Sequence, residues 1–272
     1  MNAGFVFYVH INPTRKKKSM TGKKPDTELI VSKAREFGAS LAGVALVNDL
    51  KGSSSYAEYH RAPYYDGYTG AVWPEHARSV LVLAIHTDAA HPELDWWSDD
   101  IPGRTPGNRI LMKTSRKIKK WLQEKSNIKA APLPYHIENG GVFLKDSAVL
   151  AGMGVIGKNN LLVTPEFGPR VRLRALFLDV ELESAGPVDF APCSGCDAPC
   201  LEMCPQNAFK RGSYDVKRCH REMERNRRTL IPVDGKAVGT DNTCRVVKFC
   251  RECELSCPAG RSARQARSDP CS

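Results

Sequence analysis

From residue 26 onward the chain moves between stretches of helical and strand periodicity. Asp26 is placed to N-cap a helix running through Phe37, with Ile30, Ala34 and Phe37 on one face and Gly38 as its stop. Residues 41–47 (LAGVALV) follow as a short apolar run of buried-strand length. Residues 79–86 (SVLVLAIH) repeat that signal more strongly. Over 108–125 the period becomes helical. Ile110, Thr114, Ile118 and Trp121, with Leu111 and Leu122, form an inward stripe, and seven Lys and Arg side chains cover the other face. Residues 171–182 (VRLRALFLDVEL) alternate apolar and basic positions and then turn more apolar, as a long half-buried strand does. A strongly basic helix carrying Cys219 is predicted over 214–228.

Two stretches lack a period. Residues 51–74 hold Tyr56, Tyr59, His60, Tyr64, Tyr65, Tyr68 and Trp73, too irregularly spaced for a regular element. Such a loop either lines a pocket for a planar cofactor or packs on its own rings. Residues 87–106 are a loop with the pair Trp96-Trp97 among several acids. Gly186-Pro187 marks a change of composition. The expectation is therefore an α+β chain: an α/β domain over 26–185 and a small cysteine-rich module over 186–260. A disordered basic leader (1–25) and a basic tail (261–272) flank them.

The leader's apolar patch at 5–11 precedes its basic run, the reverse of a secretory signal. No run approaches the 18 apolar residues of a membrane span. The formal net charge of +10 suits tRNA, an acidic redox partner or an acidic small molecule.

The cysteines sharpen the picture. Nine of the ten lie between Cys193 and Cys257, and the first 192 residues have none. The first run is C-x2-C-x3-C-x3-C-P (Cys193, Cys196, Cys200, Cys204) and the second C-x2-C-x3-C-P (Cys250, Cys253, Cys257). Ferredoxins hold [4Fe–4S] clusters with such ladders, and the cysteine before proline ligates the other cluster. Two clusters need eight thiolates; the runs supply seven and Cys219 is the natural eighth, leaving Cys244 and Cys271 over. Zinc, the rival, takes four ligands as two separated pairs and does not account for two Cys-Pro endings. A disulfide framework suits small secreted domains, and these cysteines are too crowded for independent bridges. A dense thiolate set fits a reducing, cytoplasmic compartment.

Gly152, Gly154 and Gly157, followed by Lys158, match G-x-G-x-x-G, and Asp179 stands about 20 residues on, as in a dinucleotide-binding turn. The context fails, because Pro165, Gly168 and Pro169 follow where a helix should open. These glycines instead let backbone approach a bulky ligand or a neighbouring element.

Residues 151–162 (AGMGVIGKNNLL), Glu166-Phe-Gly168, the strand ending Phe177-Leu-Asp179 and the two cysteine runs around Cys219 together resemble the epoxyqueuosine reductase family. The wider group includes cobalamin-dependent reductive dehalogenases and related double-cluster proteins. The resemblance covers about residues 26–258. It implies a catalytic domain similar to flavin nitroreductases in fold but holding cobalamin, beside a ferredoxin-like module with two [4Fe–4S] clusters. Carried over by position, one cluster takes Cys193, Cys196, Cys200 and Cys257, and the other Cys204, Cys219, Cys250 and Cys253. The glycine segment, Gly152 to Lys158, is expected at the cofactor. The family's proton donor maps to Glu138, with His136 a nearby alternative. The helical-repeat domain that follows the clusters in epoxyqueuosine reductases has no counterpart here, since 14 residues follow Pro258. Val155 stands where the family commonly has tryptophan.

The functional expectation is a cytoplasmic iron–sulfur reductase. A low-potential ferredoxin or flavodoxin supplies electrons, two clusters carry them, and cobalamin reduces an electrophilic substrate that Glu138 protonates. Its rivals are epoxyqueuosine reduction on tRNA, an electron-transfer protein serving a partner's corrinoid, and a basic zinc-bearing nucleic-acid binder.

Overall fold

The apolar run at 79–86 becomes the centre of the molecule. In the computed structural model, which describes residues 26–61, 73–209 and 213–260, it is strand β2 (Ser79–His86) of a four-stranded antiparallel sheet. The side chains of residues 58–61 and 138 also fall outside the description. Around β2 the chain runs as α1 (Thr27–Glu36), β1 (Leu41–Leu46), α2 (Val47–Lys51) and α3 (Ser54–Arg61), then α4 (Pro106–Ser126), β3 (Ala130–Pro132) and α5 (Leu144–Leu150). The hairpin strands β4 (Val155–Ile156) and β5 (Leu162–Val163) lead to β6 (Val171–Leu178). The order across the sheet is β1-β2-β6-β3.

β2 reads as one unbroken apolar stretch because both of its faces are covered. Leu81, Leu83 and Ile85 pack with Ile30 and Ala34 of α1 and with Leu111, Ile118 and Leu122 of α4. Val80, Val82 and Ala84 face the other way, onto Ala148 of α5, Ala151 and Met153. The flanking helices start where their caps say. Asp26 Oδ1 accepts from the Leu29 N–H at 2.9 Å, and Thr105 Oγ1 accepts from Asn108 N–H at 3.1 Å ahead of Pro106. α4 ends at Asn127, in the left-handed region at φ 56°.

Two expectations need correcting. Residues 54–61 are helical rather than irregular, because the buried Asp146 of α5 caps them from afar. Its carboxylate accepts from Ser53 Oγ (2.8 Å), Ser55 N–H (3.1 Å) and Ser55 Oγ (2.8 Å). The strand predicted over 171–182 stops at Leu178; Asp179 turns aside and accepts from Lys129 N–H at 2.8 Å. The leader, Tyr64, Tyr65, Tyr68 and the tail with Cys271 lie outside the described residues.

After Gly186 the chain builds short elements only: α6 (Pro199–Glu202), α7 (Val216–Arg227), β7 (Leu230–Val233), α8 (Gly235–Val238), β8 (Cys244–Val247) and α9 (Glu252–Leu255). The β7–β8 ribbon is joined by the loop after β2. Trp97 and Val247 exchange backbone hydrogen bonds at 3.0 and 2.7 Å, and Ile101 packs on Val238, Cys244 and Val246. Among the described residues no helix is long and apolar enough to cross a membrane.

Candidate metal centres

α6 and α9 are one turn long, and each is followed at once by a Cys-Pro. They pack against each other through Ala198, Cys200, Leu201, Cys253 and Cys257. Proline after each helix ends it and turns the chain away, so one helix presents cysteines to two different places. Cys193, Cys196, Cys200 and Cys257 line one cavity, together with Lys158 and Asn159. Cys253 instead feels Cys250, Cys219 and Cys204. The chain thus crosses over: Cys200 faces the first group and Cys204 the second, while Cys253 faces the second and Cys257 the first.

In each group two of the thiols are raised, chiefly by burial. Burial, then Cys257, Cys193 and Cys196, raise the Cys200 thiol above its ordinary range. Burial, then Cys250, Cys219, Glu254 and Cys204, push Cys253 up to about 12. Cys250 and Cys257 are raised too, chiefly by burial. Clustered thiols ionise together only when a positive centre takes their protons' place, because neighbouring thiolates repel one another. Backbone donors are already aimed at the sulfurs: Ala198 N–H to Cys196 Sγ at 3.4 Å, Ala208 N–H to Cys204 Sγ at 3.3 Å, and Lys158 N–H to Cys193 Sγ at 3.5 Å. None of the nine described cysteines is in a disulfide. Among the described residues no three His, Cys, Asp or Glu side chains close on a single ion position. In number and spacing the eight cysteines of the two groups are the donors that two [4Fe–4S] clusters would use.

The glycine segment abuts the first group. A Cβ on Gly157 would stand 2.7 Å from Val163 Cγ2 and 3.5 Å from Cys193 Sγ. Gly152 and Gly154 lie against the backbone of Ala185–Gly186 and of Val163 respectively, so their approach is to neighbouring elements. No helix follows Gly157, and the exposed Lys158 contributes its backbone N–H. The buried Asn159 reaches the second group, donating from Nδ2 to the Cys253 carbonyl at 3.0 Å.

Side chains from the ends of β2 and β6 clasp α9. Arg170 donates to the carbonyls of Cys257 (3.2 Å) and Ala259 (2.6 Å). Arg172 bridges Asp95 and Glu254, the latter at 2.8 Å, and Arg251 joins Glu254, Asp95 and the Thr87 carbonyl. Burial works against the Arg172 charge, but Glu254 and Asp95 outweigh it and hold the guanidinium above its usual range. Sequence reading saw the alternation that puts Arg172 and Arg174 on one face, not their partners.

Arg174 shapes the edge where Glu138 was placed. It donates to Asn108 Oδ1 (2.7 Å) and the Leu133 carbonyl (3.1 Å), and its guanidinium lies 6.0 Å from the Tyr135 ring. The backbone of Glu138 sits in the 3-10 turn Ile137–Asn139, just after the exposed His136; its side chain lies outside the described residues. Cys244, left over by the ligand count, is buried in β8, with Sγ 3.4 Å from Ser98 Oγ.

Known proteins resemble this chain in sequence and in fold. No protein-family model matches the chain. It is 31% identical over 160 residues to an epoxyqueuosine reductase of Pseudomonas aeruginosa, covering 57% of this chain and 43% of that protein. An epoxyqueuosine reductase of Gloeobacter violaceus is 28% identical over 253 residues, 86% of this chain and 76% of that one. The chain thus spans less than half the length of the first of these relatives. Among solved structures, epoxyqueuosine reductase from Streptococcus thermophilus superposes with a TM-score of 0.60 at 19% identity, over 86% of this chain and 65% of that one. An epoxyqueuosine reductase holding a tRNA-Tyr stem loop gives 0.58 at 19% identity over 86% and 64%. A reductive dehalogenase described for B12-dependent dehalogenation gives 0.53 at 17% identity over 92% and 34%. These solved structures share one mixed α/β fold, and that is the fold of this chain. In sequence the chain is similar to epoxyqueuosine reductases, and in fold to these and to the reductive dehalogenase.

Proposed function

We propose that the chain is a double-cluster iron–sulfur reductase acting on an electrophilic substrate. The observation that carries this reading is the pair of four-cysteine groups, crossed through α6 and α9 and seated against the sheet. In it, Cys193, Cys196, Cys200 and Cys257 hold one [4Fe–4S] cluster in a ferredoxin-like module, and Cys204, Cys219, Cys250 and Cys253 the other. The clusters supply single electrons, and a cobalamin on the nitroreductase-like side supplies two-electron chemistry at carbon.

This chain's own residues do the rest. The N–H groups of Lys158, Ala198 and Ala208 stabilise anionic sulfur. Gly157 keeps the path between Val163 and Cys193 free of a side chain, and Gly152 and Gly154 hold the segment that carries it. Arg174 fixes the strand edge leading into the Tyr135–Asn139 stretch, from which Glu138 delivers the proton. Cobalamin enters through likeness to the B12-dependent dehalogenase, and an RNA substrate through likeness to the reductase holding a tRNA stem loop.

Anaerobic gel filtration after mixing with hydroxocobalamin tests the corrinoid. Cobalt co-eluting at about one per chain is expected; cobalt eluting wholly with the small molecules contradicts a corrinoid site in this chain. Binding of a tRNA stem loop that weakens steeply as salt rises is the expected behaviour if RNA is the substrate, and no binding at low salt removes that option.

A further inference from the structure

We propose that the groove beside the second cysteine group is the docking site of a small acidic electron-carrier protein. The inference rests on the two-cluster reading above and adds where electrons enter. Trp96, Met203, Lys248, Phe249, Cys250 and Leu255 line the groove. Cys250 is itself part of the wall, so an occupant lies in contact with the second group. The cavity of the first group is lined by this chain's own Lys158–Asn159 and Pro258–Ala259 and adjoins the glycine segment. A visitor can therefore reach the second group directly, while the first faces the glycine segment. That placement gives the order carrier, second group, first group, sheet.

The groove's lining mixes apolar side chains with Lys248, Arg251, Asp95, Glu222 and Glu252, and the neighbouring α7 is cationic. On α7 the side chains of Arg225 and Arg227 are 77% and 57% exposed, and Lys217, Arg221 and Arg228 are exposed as well. Exposed Lys248 stands 4.3 Å over the Trp96 ring, and Arg227 lies about 6 Å from the rings of Trp97 and Phe249. The groove's acids are mostly engaged within the protein. Asp95 is held by Arg172 and Arg251, and buried Glu222 accepts from Gln206 and Asn226. Glu252 is exposed, and Glu224 on the helix pairs with Arg227 at 3.4 Å, so the surface remains positive in balance. Met203 is 52% exposed beside them. Apolar side chains beside a cationic helix suit a small, fast, weak encounter steered by opposite charge.

The same cations would attract RNA phosphates. An RNA substrate, however, has to bring its reacting base to the sheet, whereas an occupant of this groove meets Cys250. Position therefore favours a carrier that hands over an electron: its hydroquinone or reduced iron loses one, and the cluster on Cys250 gains it.

The test is anaerobic stopped-flow bleaching of cluster absorbance by the hydroquinone form of an acidic flavodoxin. Arg225→Glu with Lys248→Glu is expected to slow the second-order rate at least about 10-fold at low salt. The wild-type rate should fall as salt rises, while iron content and bleaching by dithionite stay unchanged in the variant. An unchanged flavodoxin rate in a variant with full iron overturns the docking site and leaves the clusters standing. A wild-type protein without iron overturns the cluster reading and this inference with it. A variant with normal flavodoxin kinetics and weakened tRNA stem-loop binding assigns the patch to RNA and also overturns the proposal.

Discussion

Cys253 shows how strongly its neighbours act on a single thiol. Its thiol is pushed up to about 12 by burial first and by Cys250, Cys219, Glu254 and Cys204 after it, so without a cation it stays protonated and inert. Cys244 is more deeply buried, yet packs on Ile101, Val238 and Val246, as a small apolar residue does. The account separates the two by experiment. Cys193→Ala, in the loop before α6, should lower bound iron by about half, whereas Cys244→Ser should leave iron unchanged and only loosen the ribbon. Equal iron in both variants would contradict the ligand assignment. Glu138→Gln is expected to retain iron and slow turnover by about 10²-fold or more, the usual contribution of a positioned proton donor; turnover at the wild-type rate would remove Glu138 from the mechanism. At this scale the cysteine ladder was legible because it is a local pattern. Asn159, Arg170 and Asp146 were not, since their partners stand 94, 87 and 93 positions away.

At the scale of elements, legibility followed burial. β2 was read to its ends because helices cover both its faces and leave no polar position in its middle. α3 was missed because its start depends on an acceptor from α5, a tertiary cap that no propensity encodes. Asp146→Ala should therefore cost about 1–3 kcal/mol in urea denaturation by leaving the donors of Ser53 and Ser55 unsatisfied; a loss below 0.5 kcal/mol on the order of surface substitutions would mean the cap is dispensable. The clasp on α9 has larger stakes. Glu254 is 4% exposed between two guanidinium groups, and Glu254→Gln leaves them with Asp95 alone. A loss of about 3–5 kcal/mol is expected, since removing one partner strands buried charge. α6 and α9 share their cysteines between both groups, so Cys257→Ala should reduce iron by more than one cluster's share, unlike Cys193→Ala. Loss of only half the iron from Cys257→Ala would show the two groups to be independent.

For the molecule as a whole, the two parts are joined by contacts that reach far along the sequence. The start of β6 contributes Arg170 and Arg172 to the cysteine-rich part, the separate β4–β5 hairpin contributes the Lys158 N–H, and the loop after β2 joins its ribbon through Trp97 and Ile101. A seam drawn at Gly186 from composition alone does not reveal this, because the residues that cross it are ordinary in type and significant only in place. The surplus of positive charge, +10 over the chain, gathers in part on α7 and Lys248 beside the second group. These features hang on one claim, that eight cysteines hold two cubes. Iron and acid-labile sulfide measured on anaerobically purified protein test it most directly. The account predicts about eight of each per chain, in keeping with two four-iron clusters, and a brown protein that bleaches on reduction. A colourless protein with fewer than about four irons per chain, or one carrying zinc in their place, would contradict it.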